Sequence, residues 1–185
     1  MNHDTLSPLG REVKYAPLSR QSPDEATAIS GHASVFGAPD QNGDVVEAGA
    51  FAASLNRLKN EGRTVKLLWQ HDPVQPIGVW DQVIEDGLGL FVKGRLLTEI
   101  EKGADAAALL AFGAVDGLSI GYRTIRAESL PGGGRRLLEL DLWEVSLVTF
   151  PMLPAARALA EASDTEADLA MLLSDALADA RAEFA

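Results

Sequence analysis

The run Leu142-Trp143-Glu144-Val145-Ser146-Leu147-Val148 constrains this chain most, because an apolar stretch of that length reads as a buried strand and it carries a carboxylate. Burying a carboxylate with no partner costs several kcal/mol. The fold must therefore bring a donor to Glu144 or leave it facing water. Strand alternation puts Leu142, Glu144 and Ser146 on one face and Trp143, Val145 and Leu147 on the other. One wet side is common in antiparallel sheets, so a solvated Glu144 is the alternative reading.

Two other stretches offer partners with chemistry of their own. Asp116-Gly117-Leu118-Ser119-Ile120-Gly121-Tyr122 sets one hydroxyl between two glycines at the start of a strand. The glycines remove Cβ bulk, so a substrate carbonyl could approach Ser119 Oγ. Gly-x-Ser-x-Gly is also met literally by residues 117–121, but Ile120-Gly-Tyr-Arg-Thr-Ile125 continues as a strand and not as the helix of a nucleophile elbow. That context argues against a small-ester hydrolase. Val65-Lys-Leu-Leu-Trp-Gln70 is a short apolar strand leading into His71-Asp72-Pro73, where the proline is expected to halt regular pairing. Ser119, His71 and Glu144 thus supply a nucleophile, a general base and a carboxylate to orient the base, each beside a strand.

Along the rest of the chain, residues 1 to about 25 hold only scattered apolar side chains and read as a flexible arm with a short strand around Val13. Residues 26–36 alternate as a half-buried strand carrying His32. Asp40-x-Asn42-Gly43-Asp44 has the look of a calcium loop, but position twelve is Phe51 where a bidentate Glu is needed. Asx-type turns account for the same residues. Phe51, Leu55 and Leu58 form one face of a helix over 50–61 that Gly62 ends. Strands 77–85 and 89–97 flank Asp86-Gly87, a strong hairpin signal. Thr98 and Glu101 have capping-box spacing for a helix running to Phe112. Strands 120–126 and 136–148 are joined through Leu130-Pro-Gly-Gly-Gly134.

Composition closes off several classes of function. A chain of 185 residues, 46% hydrophobic, can bury one sizeable core. With no cysteine, thiolate chemistry and disulfides are excluded. The net charge of −11 and the lack of a dense Lys/Arg stripe speak against nucleic acid. Neither a signal-peptide pattern nor an apolar run of about 20 residues is present, so a soluble protein with no membrane partner is expected.

Several short motifs in order resemble the tailed-phage prohead protease family of Hong Kong 97 type, capsid-maturation serine peptidases similar to herpesvirus assemblin. They are Gly31-His-Ala-Ser-Val-Phe36, Gly43-Asp44 with Gly49-Ala-Phe51, Leu67-Leu-Trp-Gln-His-Asp72 with Pro76-Ile-Gly78, and Gly87-Leu88. Gly117-Leu-Ser-Ile-Gly-Tyr122 and Trp143-Glu-Val-Ser-Leu-Val148 with Pro151 and Ala155 complete the set. The resemblance implies an α+β, mainly β fold: an assemblin-like closed β-barrel with a few surrounding helices. It implies a serine endopeptidase with Ser119 and His71 at the matching positions, needing no cofactor or metal. Relatives of the assemblin kind use a second histidine as third member, for which His32 and His3 are the candidates beside the preferred Glu144. Arg135 and Arg136 are candidates near the oxyanion, and two adjacent arginines also suit a solvated loop. The implied partners are the major capsid protein precursor and its scaffold region, met in the bacterial cytoplasm inside assembling procapsids. A non-enzymatic capsid scaffold or chaperone with the same fold is the alternative.

The chain therefore divides into an arm (1–25), a protease domain (26–157) and an acidic C-terminal helix (158–185). In that last segment Ser163 and Glu166 have capping-box spacing, and Leu169, Leu172, Leu173, Ala176, Leu177, Ala180 and Phe184 form one apolar face. This stripe can pack on its own domain, pair in a homodimer, or dock on the scaffold region.

Overall fold

Alternating strands punctuated by turn residues build most of the chain, and the computed structural model describes residues 12–17, 28–151 and 153. In order these form β1 (Glu12–Pro17), β2 (Ala28–Val35), β3 (Val45–Val46), α1 (Ala52–Asn60), β4 (Lys66–Trp69) and β5 (Asp72–Glu85). They are followed by β6 (Gly89–Leu96), α2 (Glu101–Ala111), β7 (Gly117–Ser129) and β8 (Arg135–Val148). The strand expected around Val13 is β1; the rest of the arm and the C-terminal segment lie outside the described residues.

All eight strands belong to one sheet, ordered β1-β7-β8-β4-β5-β6-β2, with β3 also on β8. The strand β8 is the spine. It pairs antiparallel with β7 along its length and parallel with β3 near Arg136 and with β4 from Glu144 to Leu147. The fold is mainly β and the sheet is curled, so that β1 and β2, at opposite ends of the order, come close together. No ladder joins them among the described residues, so the closed barrel implied by the resemblance is met only as a curl.

Both helices lie against this sheet as their apolar faces require. Phe51, the N-cap of the first, and Leu58 are buried with Leu55 packed at the edge, as the i, i+4, i+7 spacing predicts. Two links tie this helix to the spine, a hydrogen bond from the Leu142 amide to Ser54 Oγ, 2.9 Å, and an ion pair of Arg57 with Asp141. The second helix differs from expectation at its start: Ile100 is the N-cap, in an extended conformation and with no side-chain cap, so the Thr98–Glu101 box does not form. Close packing fixes that end instead, since a Cβ on Gly103 would lie 2.0 Å from the Leu97 carbonyl oxygen.

Two hairpins turn without a left-handed glycine. At Asp86-Gly87 the hairpin forms, but Gly87 is not left-handed; the turn is held by Asp86 Oδ1, which accepts the Leu88 and Gly89 amides at 2.8 Å each. The left-handed pair occurs between β4 and β5, at Gln70 (φ 51°) and His71 (φ 63°), which is the backbone a two-residue type I′ loop needs, without any glycine. Pro73 disturbs pairing without ending it. The β4–β5 ladder passes from Trp69↔Asp72 to Leu68↔Pro76, and residues 73–75 are passed over within β5.

Burial would raise the Asp86 carboxyl, but the Gly89 amide, the His32 ring and the Leu88 amide overcome it and hold the group below its ordinary 3.8. A lowered carboxyl contributes stability above its unfolded value, lost as the pH falls through the lowered one. D86A is expected to lose about 1 kcal/mol at neutral pH by urea denaturation. D86N, which keeps the acceptor, should lose less. The gap between D86A and wild type should close as the pH drops below 3.8; a gap independent of pH would contradict this account.

Candidate active site

Strand register alone collects most of the site. Ser119 of β7 lies opposite Ser146 of β8, and Gly121 lies opposite Glu144. Period-two alternation then sets all four positions on one face of the sheet. The register shifts at Trp143, so the expected continuation of this face to Leu142 crosses a bulge.

Glu144 is 1% exposed, which overturns the solvated-face alternative. Its partner is His71, whose Nδ1 lies 2.5 Å from Glu144 Oε1. The other ring nitrogen, Nε2, lies 2.5 Å from Ser119 Oγ. With a carboxylate as acceptor, Nδ1 carries the proton and Nε2 is left to accept from the serine hydroxyl. Ser119 is fully buried and the His71 side chain is 14% exposed.

The imidazole reaches this position because the β4–β5 turn is pinned to β8. The Gln70 amide donates to the Leu147 carbonyl at 3.0 Å, extending the parallel ladder by one bond. The Gln70 side chain donates through Nε2 to Thr149 Oγ1 at 2.6 Å. His71 donates its own amide to Ser146 Oγ at 3.2 Å. Holding a non-glycine residue in the left-handed region costs of order 1 to 3 kcal/mol, and such strain concentrates at functional sites. Below the turn, Trp80 Nε1 donates to the Val145 carbonyl at 3.2 Å, tying down β8 between Glu144 and Ser146.

The two glycines around Ser119 have a packing role within the sheet. A Cβ on Gly121 would lie 2.0 Å from Glu144 Oε1, and one on Gly117 would lie 2.9 Å from the Val148 carbonyl oxygen. Both make room for β8, and Gly121 lets the carboxylate lie over the strand. Ser119 itself is inside a continuous strand, as argued against a nucleophile elbow.

Other candidates fall elsewhere. The His32 ring bonds Asp86 Oδ2 through Nε2 at 2.7 Å and meets Phe91 edge-on, while His71 Nδ1 is engaged by Glu144. His3 lies outside the described residues. Arg135 pairs with buried Asp44 at 2.6 Å and Arg136 with Glu47 at 3.3 Å. Arg136 and Glu144 are about 27 Å apart along β8 at the usual strand rise, so both arginines tether the glycine-rich turn at the far end. Asp40 Oδ1 accepts the Asn42 and Asp44 amides, the Asx turn read from the sequence. Sequence reasoning missed the roles of Gln70, Thr149, Trp80 and Gly121; only Glu144-x-Ser146 carried a signal, in its shared strand face.

A family model described as caudovirus prohead serine protease matches residues 14–170. The prohead protease of Enterobacteria phage HK97 is 33% identical over 150 residues, covering 80% of this chain and 63% of that protein. A capsid polyprotein of Pseudomonas phage PAJU2 is 33% identical over 138 residues, covering 69% of this chain and 19% of that protein. The chain thus spans less than two thirds of the length of these curated relatives. Among solved structures, the bacteriophage T4 capsid assembly protease aligns with a TM-score of 0.60 at 16% identity, over 76% of this chain and 98% of that one, a likeness of fold.

The Gly121 contact yields a test. G121A is expected to displace the Glu144 carboxylate, lowering the rate at which an alkyl fluorophosphonate labels Ser119 by about 100-fold or more, on the scale of a lost positioning contact. Labelling at the wild-type rate would show that the carboxylate does not need this opening.

Proposed function

The chain belongs to the caudovirus prohead serine protease family, and on that premise we propose that it is a serine endopeptidase of Ser-His-Glu type that cleaves scaffold and capsid precursor during prohead maturation. The observation that carries the reading is the unbroken hydrogen-bonded line from Ser119 Oγ through both His71 nitrogens to Glu144. A non-enzymatic capsid scaffold would have no need of a left-handed histidine braced between a buried carboxylate and a buried hydroxyl.

The chemistry is acyl transfer. Ser119 Oγ attacks the scissile carbonyl carbon while His71 Nε2 takes its proton, forming a tetrahedral intermediate. The C–N bond then breaks as Nε2 returns the proton to the leaving amine, and an acyl-enzyme remains on Ser119. Water, deprotonated by the same nitrogen, then attacks the acyl carbon, and the ester bond to Ser119 breaks as Nε2 returns the proton to Oγ, releasing the second product with a new carboxyl terminus and restoring the free serine. Throughout, Glu144 fixes the tautomer and stabilises the imidazolium formed in each half-reaction.

Within this reading, residues 26–157 together with β1, which pairs with β7, form the protease domain, and the approach of β1 to β2 goes with a sheet that closes into a barrel. The substrates are the major capsid protein precursor and its scaffold region, met inside assembling procapsids. The similarity to a segment of a capsid polyprotein supports a working association with shell components. The acidic segment 158–185 is the candidate for docking on the scaffold region or for a homodimer.

Co-expression with a capsid precursor, read by mass spectrometry for a new N-terminus, tests the proposal. Wild type should generate the processed form, and S119A or H71A should not, since loss of either group in such a triad costs about a millionfold. Undiminished processing by S119A would refute the assignment.

A further inference from the structure

The line from Ser119 to Glu144 uses only one carboxylate oxygen, and the second is also buried. Glu144 Oε2 accepts a hydrogen bond from Ser146 Oγ at 2.6 Å. Ser146 has no exposed surface, so the single hydroxyl proton is committed to this oxygen. The same hydroxyl oxygen accepts the His71 amide at 3.2 Å. One side chain thus touches the carboxylate that orients the imidazole and the strained backbone that carries it.

An ordinary buried strand serine satisfies itself on nearby backbone. Here the pairing Ser119↔Ser146 instead places the hydroxyl beside the nucleophile's own row, two residues from Glu144 on the same face. The carboxylate gains a second donor that stops rotation about its Cγ–Cδ bond, keeping Oε1 aimed at Nδ1. The left-handed amide of His71 gains an acceptor at a point where the β4–β5 ladder is irregular. Ser146 Oγ has its contacts with Glu144 and the His71 amide, while the imidazole Nε2 faces Ser119, so Ser146 is not placed as an alternative nucleophile.

We propose that Ser146 is a positioning residue of this site, holding Glu144 in the orientation that aligns His71 with Ser119. The proposal rests on the reading of Ser119, His71 and Glu144 as the catalytic triad. Loss of a hydrogen bond to a charged group that itself orients a reacting residue lowers rate by about 10- to 100-fold.

The test is the rate of phosphonylation of Ser119 by an alkyl fluorophosphonate, in which Ser119 Oγ displaces fluoride, resolved into the maximal rate constant and the half-saturating concentration. S146A should lower the maximal rate constant about 10- to 100-fold with half-saturation changed less than about twofold. In an E144Q background the same change should cost less than about threefold, because the group through which Ser146 acts is already lost. S146C, which keeps a weaker donor, should give an intermediate rate, and it decides the matter alone if S146A does not fold. A wild-type rate in S146A or S146C, or equal losses in both backgrounds, overturns the proposal. Failure of the underlying reading looks different: wild type is not labelled, or S119A is labelled as well as wild type.

Discussion

The burial of the Glu144 carboxylate is the constraint to which the rest of this fold answers. A charge with 1% exposure survives in a protein interior only when its lone pairs are engaged. Three features meet that demand at once. His71 Nδ1 takes one oxygen, Ser146 Oγ takes the other, and the missing side chain of Gly121 leaves the space in which the carboxylate lies. Because β8 is also the strand that β7, β4 and β3 share, displacing Glu144 would disturb the centre of the sheet.

The second constraint is conformational. Gln70 and His71 occupy a loop geometry that usually calls for Asn-Gly, and the strain is offset by bonds from both residues to the end of β8 and to Thr149 just beyond it. A side chain leaving a regular strand would point along the sheet normal at a fixed height. The left-handed turn instead lets the imidazole fold back over the sheet, so that its two nitrogens bridge β7 and β8. Rigidity of this turn is therefore part of what keeps a proton donor and acceptor in line.

Much of this was legible in the sequence, for identifiable reasons. Period-two alternation announced that Glu144 and Ser146 share a face, and the apolar run around them announced burial. The residues to be joined, Ser119, His71 and Glu144, followed from the chemistry of their types. What alternation cannot reveal is which strands are neighbours: the parallel pairing of β4 with β8, which brings His71 to Glu144, is a contact across more than 70 residues. The Asp86-Gly87 hairpin was legible, although the Asp86 carboxylate and not a left-handed glycine holds it, whereas the tight turn at Gln70-His71 has no turn residue to announce it. The capping box at Thr98 failed because packing of Gly103 on Leu97 sets the start of α2.

The claim on which the account turns is that a carboxylate, and not a second histidine, is the third member of the site. Precursor processing by E144Q and by H32A measures it most directly, because glutamine keeps the shape of the glutamate while it loses the charge. The account predicts that E144Q slows processing about 10,000-fold, by analogy with the wrong-tautomer effect of the corresponding change in a serine protease triad, while H32A stays within a few-fold of wild type. Loss of processing in H32A, with E144Q close to wild type, would contradict it.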